Sequence, residues 1–409
     1  MILKHFENMI SGIKTRLEND PEGTNARKKF ALEIARLGKK IYSGGERIAW
    51  CGVIAPFDLL NAMGVTSCFI EFVSSNLAST GSVENFLESA EHSGYAIDIC
   101  SYHRAVLGAT IKNQMPMPDF MIATTAPCTG GLAVMEVLAK KFNRELFVLD
   151  IPQDESDKNI RYLATQIENM IDFVGYHIGE PLDPSRLRKA VENTNETRKI
   201  LKEVFSLAQH IPSPAKGRIF SGVVPALNLF LGTDTAIKIA KAFRDEFKNI
   251  IDDNKVDISN EKFRLMWLQS RPQFKTTIEQ ILEKQYKAAI VVEELNDITW
   301  EPIDPENPYD GMARRMISSP LNGDIKKRIE QFKNLAQDYR IHGAINACHW
   351  GCRQGTGARG LITDSLKKIG VPVLNLEVDV IDPRNFAHGQ INTRLEAFME
   401  MLGTRPSPW

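Results

Sequence analysis

The chain has 409 residues, in which 50 basic side chains nearly balance 51 acidic ones, and 43% of the residues are hydrophobic. This composition is typical of a globular protein and excludes a disordered or collagen-like chain, while the near-neutral charge argues against partners such as nucleic acid or an anionic membrane. No apolar run approaches the roughly 20 residues that cross a bilayer, and the N-terminal stretch MILKHFENMI lacks the apolar core of a signal peptide. We therefore expect a cytoplasmic protein of two or three domains.

The first half of the chain alternates helical and strand-like patterns. Residues 25–42 carry apolar side chains at helical spacing, which predicts a helical N-terminal segment over residues 1–44. Short apolar runs then predict strands at 47–54, 65–72, 119–125 and 145–151, with a helix at 132–142. Long helices are predicted at 156–173, with Ser156 as its N-cap, and at 183–208.

A break at IPSP, residues 211–214, predicts a boundary between two domains, 45–212 and 213–409. Beyond it, strands are predicted at 218–224, 288–294, 341–347 and 371–378, and helices at 233–248, 324–335 and 361–369. The Pro-rich stretch 301–309 reads as a surface loop. Strands separated by helices are typical of parallel sheets, so the predicted fold is α/β, with two tandem domains behind the helical N-terminal segment.

Six cysteines lie in the chain, and in a reducing cytoplasm we expect them to be thiols. No CxxC pair occurs, which argues against a zinc ribbon or a thioredoxin-type redox site. Free cysteines are usually small buried residues, and this is the alternative to any functional role. Cys51 and Cys68 lie within predicted strands and fit that alternative.

The other cysteines lie where ligands are expected. Cys100, Cys128 and the pair Cys348 and Cys352 each follow an apolar run and precede a helical stretch. Ligands bind beyond the carboxyl ends of parallel strands, and a helix N-terminus favours a thiolate by lowering the pKa of the thiol. Thiolates that converge from separate turns suit a soft metal centre such as an iron–sulfur cluster.

Three segments resemble a known family. They are GYAIDICSYHRAVLGA around Cys100, MPMPDFMIATTAPC ending at Cys128, and the C-terminal VDVIDPRNFAHGQINTRLEAFMEML. They are similar to the larger, alpha-type catalytic subunit of the 2-hydroxyacyl-CoA dehydratase and class I benzoyl-CoA reductase family. The resemblance implies two Rossmann-like domains and a 4Fe-4S cluster held by three cysteines, with one iron left open.

The resemblance also assigns residues. Cys100 and Cys128 match two cluster ligands, and Cys352 best matches the third, with Cys348 as its rival. Cys51 falls where the family has a small or hydroxylated residue near the substrate, which implies a substrate-binding role.

Other polar residues follow the predicted strands. Two histidines are candidate catalytic residues. His349, between the two rival cysteines, is placed for proton transfer or for a hydrogen bond to a cluster sulfur, and His103, one helical turn after Cys100, would face the cluster. Arg353, in a Gly-rich stretch, and His388, after the last strand, are candidate substrate-binding residues, with Arg353 placed to meet a CoA phosphate. For Glu377, Asp379, Asp382 and Arg384, turn formation and ion pairing are favoured over catalysis.

The resemblance implies a lyase with a radical mechanism. A separate ATP-hydrolysing iron–sulfur activator would deliver one electron, a ketyl radical of the 2-hydroxyacyl-CoA would expel the hydroxyl group, and an enoyl-CoA would result. It also implies a related second subunit in a heterodimer. An ATP-dependent aryl-CoA reductase subunit is the alternative, and a cluster-bearing subunit that binds no substrate is a further one.

Overall fold

The computed structural model describes residues 2–20, 25–253 and 261–409. Its strands are β1 (Ile48–Cys51), β2 (Thr66–Phe69), β3 (Phe120–Thr124), β4 (Leu146–Leu149), β5 (Phe263–Leu268), β6 (Ala288–Glu293), β7 (Gly343–His349) and β8 (Val373–Val378). Its helices in the first half are α1 (Ile2–Glu18), α2 (Ala26–Ser43), α3 (Phe57–Ala62), α4 (Ile70–Ser79), α5 (Glu84–His92), α6 (Ser101–Ile111), α7 (Thr129–Phe142), α8 (Asp157–Ile178) and α9 (Pro184–Ala208). Those in the second half are α10 (Val223–Leu227), α11 (Asp234–Asp252), α12 (Pro308–Ile317), α13 (Ile325–Asp338), α14 (Arg353–Thr356), α15 (Arg359–Lys368) and α16 (His388–Thr404).

The strands form two parallel four-stranded sheets with the same connectivity. Their orders are β2-β1-β3-β4 and β6-β5-β7-β8. Helices pack on both faces of each sheet, so strands such as β3, β5 and β7 are buried along their whole length. Burial on two faces explains why these strands read as apolar runs rather than alternating patterns. The predicted α/β class, with two Rossmann-like units behind a helical N-terminal segment, is confirmed.

The chain order reverses between β1 and β3 in the first sheet and between β5 and β7 in the second. Such switch points open a crevice at the carboxyl ends of the strands, where α/β proteins bind ligands. Helix α12 from the second half packs on α8 of the first, so the two halves share contacts. The domain boundary at residue 212 stays a prediction.

Two local predictions were wrong. Residues 218–224 form a turn followed by α10, because Gly217 and Gly222 adopt φ of 64° and 63°, which a strand does not use. Strand β2 ends at Phe69 rather than 72, and α4 follows at once. Ser156 is the N-cap of α8, as predicted, although its side chain makes no capping hydrogen bond. In addition, β5 was not predicted at all.

The N-terminal segment consists of α1 and α2, and residues 1 and 21–24 of the predicted segment lie outside the described part. Among the helices that the structure describes, none has both the length and the apolarity needed to cross a membrane.

Candidate functional site

Cys128 lies in the turn between β3 and α7, at the carboxyl edge of the first sheet. Its Sγ accepts a hydrogen bond from the Gly131 backbone N–H at 3.4 Å and so caps the start of α7. A Cβ at Gly130 or Gly131 would lie 4.0 or 3.7 Å from this sulfur. A Cβ at Gly130 would also lie 3.2 Å from Cε1 of His103, so the missing side chain lets the His103 ring pack beside Cys128.

Cys100 immediately precedes α6, and its sulfur faces the second half of the chain. The Cys100 Sγ lies 3.5 Å from Nε2 of His349, at the end of β7. The Val380 backbone N–H donates to the other ring nitrogen of His349, Nδ1, at 3.2 Å. A neutral imidazole has one donor and one acceptor nitrogen, so the proton of His349 is on Nε2 and points to the Cys100 sulfur. Burial lowers the pKa of His349 despite the nearby carboxylate of Asp379, which keeps the ring neutral.

Cys352 reaches the same place from the second sheet, because a glycine lets the two turns come close together. Gly351 adopts a φ of 72°, and a Cβ there would lie 2.6 Å from the Cys100 backbone nitrogen. The turn at 350–352 thus packs directly on the backbone that begins α6. Cys352 comes next and precedes α14.

The three thiols interact electrostatically. Burial raises the pKa of Cys100, and negative charge on Cys352 and Cys128 raises it further. Burial likewise raises the pKa of Cys128, with smaller contributions in the same direction from Glu71 and Cys352. The expectation that the helix N-termini would lower these pKa values was wrong, because burial outweighs the backbone N–H donors. Cys100 and Cys128 can therefore both become thiolates here only when positive charge compensates them.

A carboxylate that sequence reasoning missed lies beside Cys128. Glu71, in the first turn of α4, places Oε1 3.8 Å from Nε2 of buried His103. A Cβ at Gly131 would lie within 3.8 Å of Glu71 Oε1, His103 Nε2 and Cys128 Sγ alike. Oε2 of Glu71 is buried without a hydrogen-bond partner among the described residues. The signal that could have found Glu71 is its position directly after β2, inside the apolar run CFIEFV.

Cys348, the rival third ligand, faces away from this site. Neighbouring residues of a strand point to opposite faces, and His349 already faces Cys100. The Cys348 thiol lies 3.7 Å from Oδ1 of Asn375, on β8, and near Arg359. The geometry therefore favours Cys352 over Cys348.

Behind Cys100, a buried polar network connects the two halves of the chain. The Ser101 hydroxyl donates to Asp379 at 2.6 Å, and Asp379 also accepts the backbone N–H groups of residues 381 and 382. Arg104 pairs with the Asp382 carboxylate at 3.3 Å, and Arg384 pairs with the same carboxylate at 2.7 Å. The prediction of turn formation and ion pairing for Asp379, Asp382 and Arg384 is confirmed. Glu377 likewise pairs with Arg359.

The remaining predicted residues, Cys51, Arg353 and His388, lie outside this group of side chains. Cys51 is fully buried at the end of β1, with Cys68 as a neighbour. Arg353 is exposed directly after Cys352. His388 begins α16 and packs its ring against Phe386 at 4.7 Å between centroids. The structure thus brings Cys100, Cys128, Cys352, His103 and His349 together.

The donor set suits a cluster better than a single ion. Within the described ranges, no three His, Cys, Asp or Glu side chains are close enough to hold one metal ion. Three cysteine sulfurs that converge from separate turns are the ligand type of an iron–sulfur cluster.

The chain is similar to several characterised proteins over most of its length. The family profile described as 2-hydroxyglutaryl-CoA dehydratase, D-component, matches residues 52–402. The (R)-phenyllactyl-CoA dehydratase alpha subunit of Clostridium sporogenes is 24% identical over 88% of this chain and 90% of its own length. A benzoyl-CoA reductase subunit of Thauera aromatica is 25% identical over 87% and 90%, respectively. The lactoyl-CoA dehydratase subunit alpha of Anaerotignum propionicum is 22% identical over 88% and 91%.

Proposed function

Because the chain belongs to the 2-hydroxyglutaryl-CoA dehydratase D-component family, we propose that it is the catalytic subunit of a 2-hydroxyacyl-CoA dehydratase. The reaction removes water from a 2-hydroxyacyl-CoA and leaves an enoyl-CoA. The observation that carries the proposal is the meeting of Cys100, Cys128 and Cys352 at the crevice between the two sheets.

In this proposal, Cys100, Cys128 and Cys352 hold a 4Fe-4S cluster. When bound, such a cluster would supply the low-potential electron that reduces the thioester carbonyl. The Nε2–H group of His349 donates a hydrogen bond to the Cys100 sulfur and so stabilises its thiolate form. The interlocked turns of Cys100 and Gly351 hold the two halves of the crevice in register.

Glu71 is the residue that we assign to proton transfer. Elimination of water also removes a hydrogen from the β-carbon, next to the carbon that carries the hydroxyl group. This hydrogen leaves as a proton, so a base at the crevice has to accept it. Oε2 of Glu71 has no partner within the described residues, so this oxygen is free to take up that proton. The other carboxylate oxygen, Oε1, lies 3.8 Å from Nε2 of His103, which places this ring beside the proposed base.

The proposal extends to partners and location. Relatives named as single subunits of dehydratases and of a reductase support a related second subunit in a heterodimer. An ATP-hydrolysing iron–sulfur activator would deliver the electron, and an acyl-CoA is the substrate. A cytoplasmic location, where all six cysteines stay reduced, is part of the same proposal.

The ligand assignment is tested by a matched series of cysteine variants. Cys100→Ser, Cys128→Ser and Cys352→Ser, purified without oxygen, should each lose most of their iron and sulfide, and the charge-transfer absorbance with it. Cys348→Ser is the control and should keep wild-type iron content. Loss of the cluster in the Cys348 variant, with retention in the Cys352 variant, would reverse the third assignment.

The second candidate function is an aryl-CoA reductase, which the 25% identity to the benzoyl-CoA reductase subunit favours. Redox stoichiometry separates the two activities. A dehydratase turns over many substrate molecules for each electron that the activator delivers, whereas a reductase consumes reductant in step with product. Activator-dependent turnover of 2-hydroxyacyl-CoA and aryl-CoA thioesters, with reductant counted, decides between them.

A further inference from the structure

A cavity of about 260 Å³ lies between the two halves of the chain, next to the candidate site. Pro127, which precedes Cys128, and Leu321, in the loop after α12, are part of its wall. The side-chain amide of Gln354, two residues after Cys352, donates to the carbonyl oxygens of Pro127 and Leu321 at 2.7 and 3.1 Å. One hydrogen-bonded bridge therefore joins the cavity wall to the segments of two candidate ligands.

The two arginines in the cavity wall are already paired. Arg315 makes two hydrogen bonds of 2.7 Å to the buried carboxylate of Asp58. Arg198 donates to the backbone carbonyl of Trp300 at 2.6 Å and to Glu301 at 3.0 Å. Both guanidinium groups also lie over the Trp300 ring, 5.4 and 5.7 Å from its centroid.

The two acidic residues of the wall are satisfied as well. Glu294 pairs with buried Arg328 at 2.6 Å. Asp297 accepts the Gln331 amide at 3.0 Å and the backbone N–H of residue 298. Among the described lining residues, no cation is left to neutralise a carboxylate on a ligand.

The rest of the wall is mostly apolar. It includes Ile54, Leu201, Leu231, Met316 and Leu321, in addition to the Trp300 ring. The volume is below the roughly 300–1,000 Å³ of pockets that enclose a drug-sized ligand. The cavity therefore has a size that suits an acyl side chain.

Building on the proposed function, we propose that this cavity receives the acyl side chain of the CoA thioester and selects uncharged, apolar acyl groups. An apolar side chain gains by leaving water for this wall. A second carboxylate at the end of the acyl chain would lose its hydration and meet no free cation among the described lining residues. The substrate class is therefore a 2-hydroxyacyl-CoA with an aliphatic or aryl side chain, and anionic dicarboxyl thioesters are disfavoured.

Calorimetric binding tests this selectivity on the full chain, purified without oxygen together with any subunit that accompanies it. The probes are 2-hydroxyisocaproyl-CoA, 2-hydroxyglutaryl-CoA and free CoA. We expect the apolar thioester to bind at least about tenfold more tightly than the anionic one. Equal or tighter binding of the anionic thioester would overturn the inference and leave the proposed function intact. Failure of every thioester to bind would overturn both.

Matched leucine variants locate the binding site. Leu321→Arg places a cation in the cavity wall and should raise the affinity for the anionic thioester while lowering it for the apolar one. Leu361→Arg makes the same change on an exposed part of α15 and should alter neither. If both variants behave alike, the acyl group binds elsewhere.

A bulky substitution distinguishes the acyl side chain from the pantetheine arm. Leu321→Phe should weaken binding of the apolar thioester and leave free CoA unchanged. An equal loss for all three probes would mean that the cavity holds the pantetheine arm, contrary to the inference. Should a Leu321 variant fail to fold, as judged by its thermal unfolding, Val53→Phe, at another residue of the cavity wall, replaces it.

Discussion

Replacing Gly351 by alanine tests whether the approach of the two turns builds the crevice. Gly351 adopts a φ of 72°, in the left-handed region, and lies against the backbone of residues 98–100. A methyl group here would lie 2.6 Å from the Cys100 nitrogen and 2.7 Å from the Ile99 carbonyl carbon. Both atoms are backbone, so no flexible side chain can move aside, and the turn that carries Cys352 must shift away from Cys100.

The expected destabilisation follows from two contributions. A left-handed backbone costs a residue with a Cβ about 1–2 kcal/mol. Relief of an overpacked contact in a rigid region costs about 1–3 kcal/mol more. Gly351→Ala should therefore lower the free energy of unfolding by about 2–5 kcal/mol.

Gly360→Ala is the matched control. Gly360 lies in α15, and a Cβ there would meet no atom within 4 Å. Alanine in a helix is better than glycine by about 0.5–1 kcal/mol, so this variant should be more stable than the wild type. Equilibrium urea unfolding, followed by circular dichroism, measures both effects, and iron and sulfide per chain after anaerobic reconstitution reports on the site. A Gly351 variant with wild-type stability and wild-type iron content would refute the idea that close packing of the two turns builds the crevice.

Three further predictions concern buried polar contacts. Arg315→Met leaves the Asp58 carboxylate buried and unpaired, so urea unfolding should show a loss of about 3–5 kcal/mol, part of which Asp58→Asn restores in the double variant. Burial acts to raise the pKa of Asp58, but the charge and hydrogen bonds of Arg315 lower it overall. The stabilisation from this carboxylate is therefore complete above its unfolded pKa of about 3.9 and is lost as the pH falls through the lower folded value. Unfolding free energies of the wild type and Asp58→Asn should converge only in that acid range, and convergence above about pH 5 would contradict the pairing. His349→Phe keeps a ring against Tyr102 but leaves the Val380 N–H without an acceptor, so we expect a loss of about 1–3 kcal/mol in the same assay, and an unchanged value would argue against the assigned tautomer.

The fold class was predictable because buried parallel strands and their covering helices leave strong apolar patterns. Strand β5 was missed because Arg264 interrupts its apolar run. That arginine is buried and pairs with Glu261, three residues earlier, so its polar side chain does not signal exposure. The false strand at 218–224 has the opposite cause. Its β-branched and aromatic residues suggest a strand, but Gly222 turns the chain into α10.

For the site, spacing along the chain indicated three of the positions but not how they meet. Spacing selected Cys100, Cys128 and the pair of Cys348 and Cys352, because each position follows an apolar run and precedes a helix. The preference for Cys352 within the pair came from the family resemblance, and the alternation of side chains along β7 agrees with it. Glu71 was not selected because β2 was predicted to continue through it, whereas the strand ends at Phe69. A residue within a strand of a buried sheet gives no reason to expect a free carboxylate.

The division of the three sulfurs between the two sheets also bears on the order of events during synthesis. Cys100 and Cys128 belong to the first half of the chain, whereas Cys352 follows β7, close to the end of the sequence. Neither half contains a complete set of ligands, so any group that needs all three sulfurs can be inserted only after the two halves have folded and docked. Once inserted, such a group would be bound by sulfurs from both halves and would link them. It would add to the links that already join the halves, which include the packing of α12 on α8 and the hydrogen bond from Ser101 to Asp379.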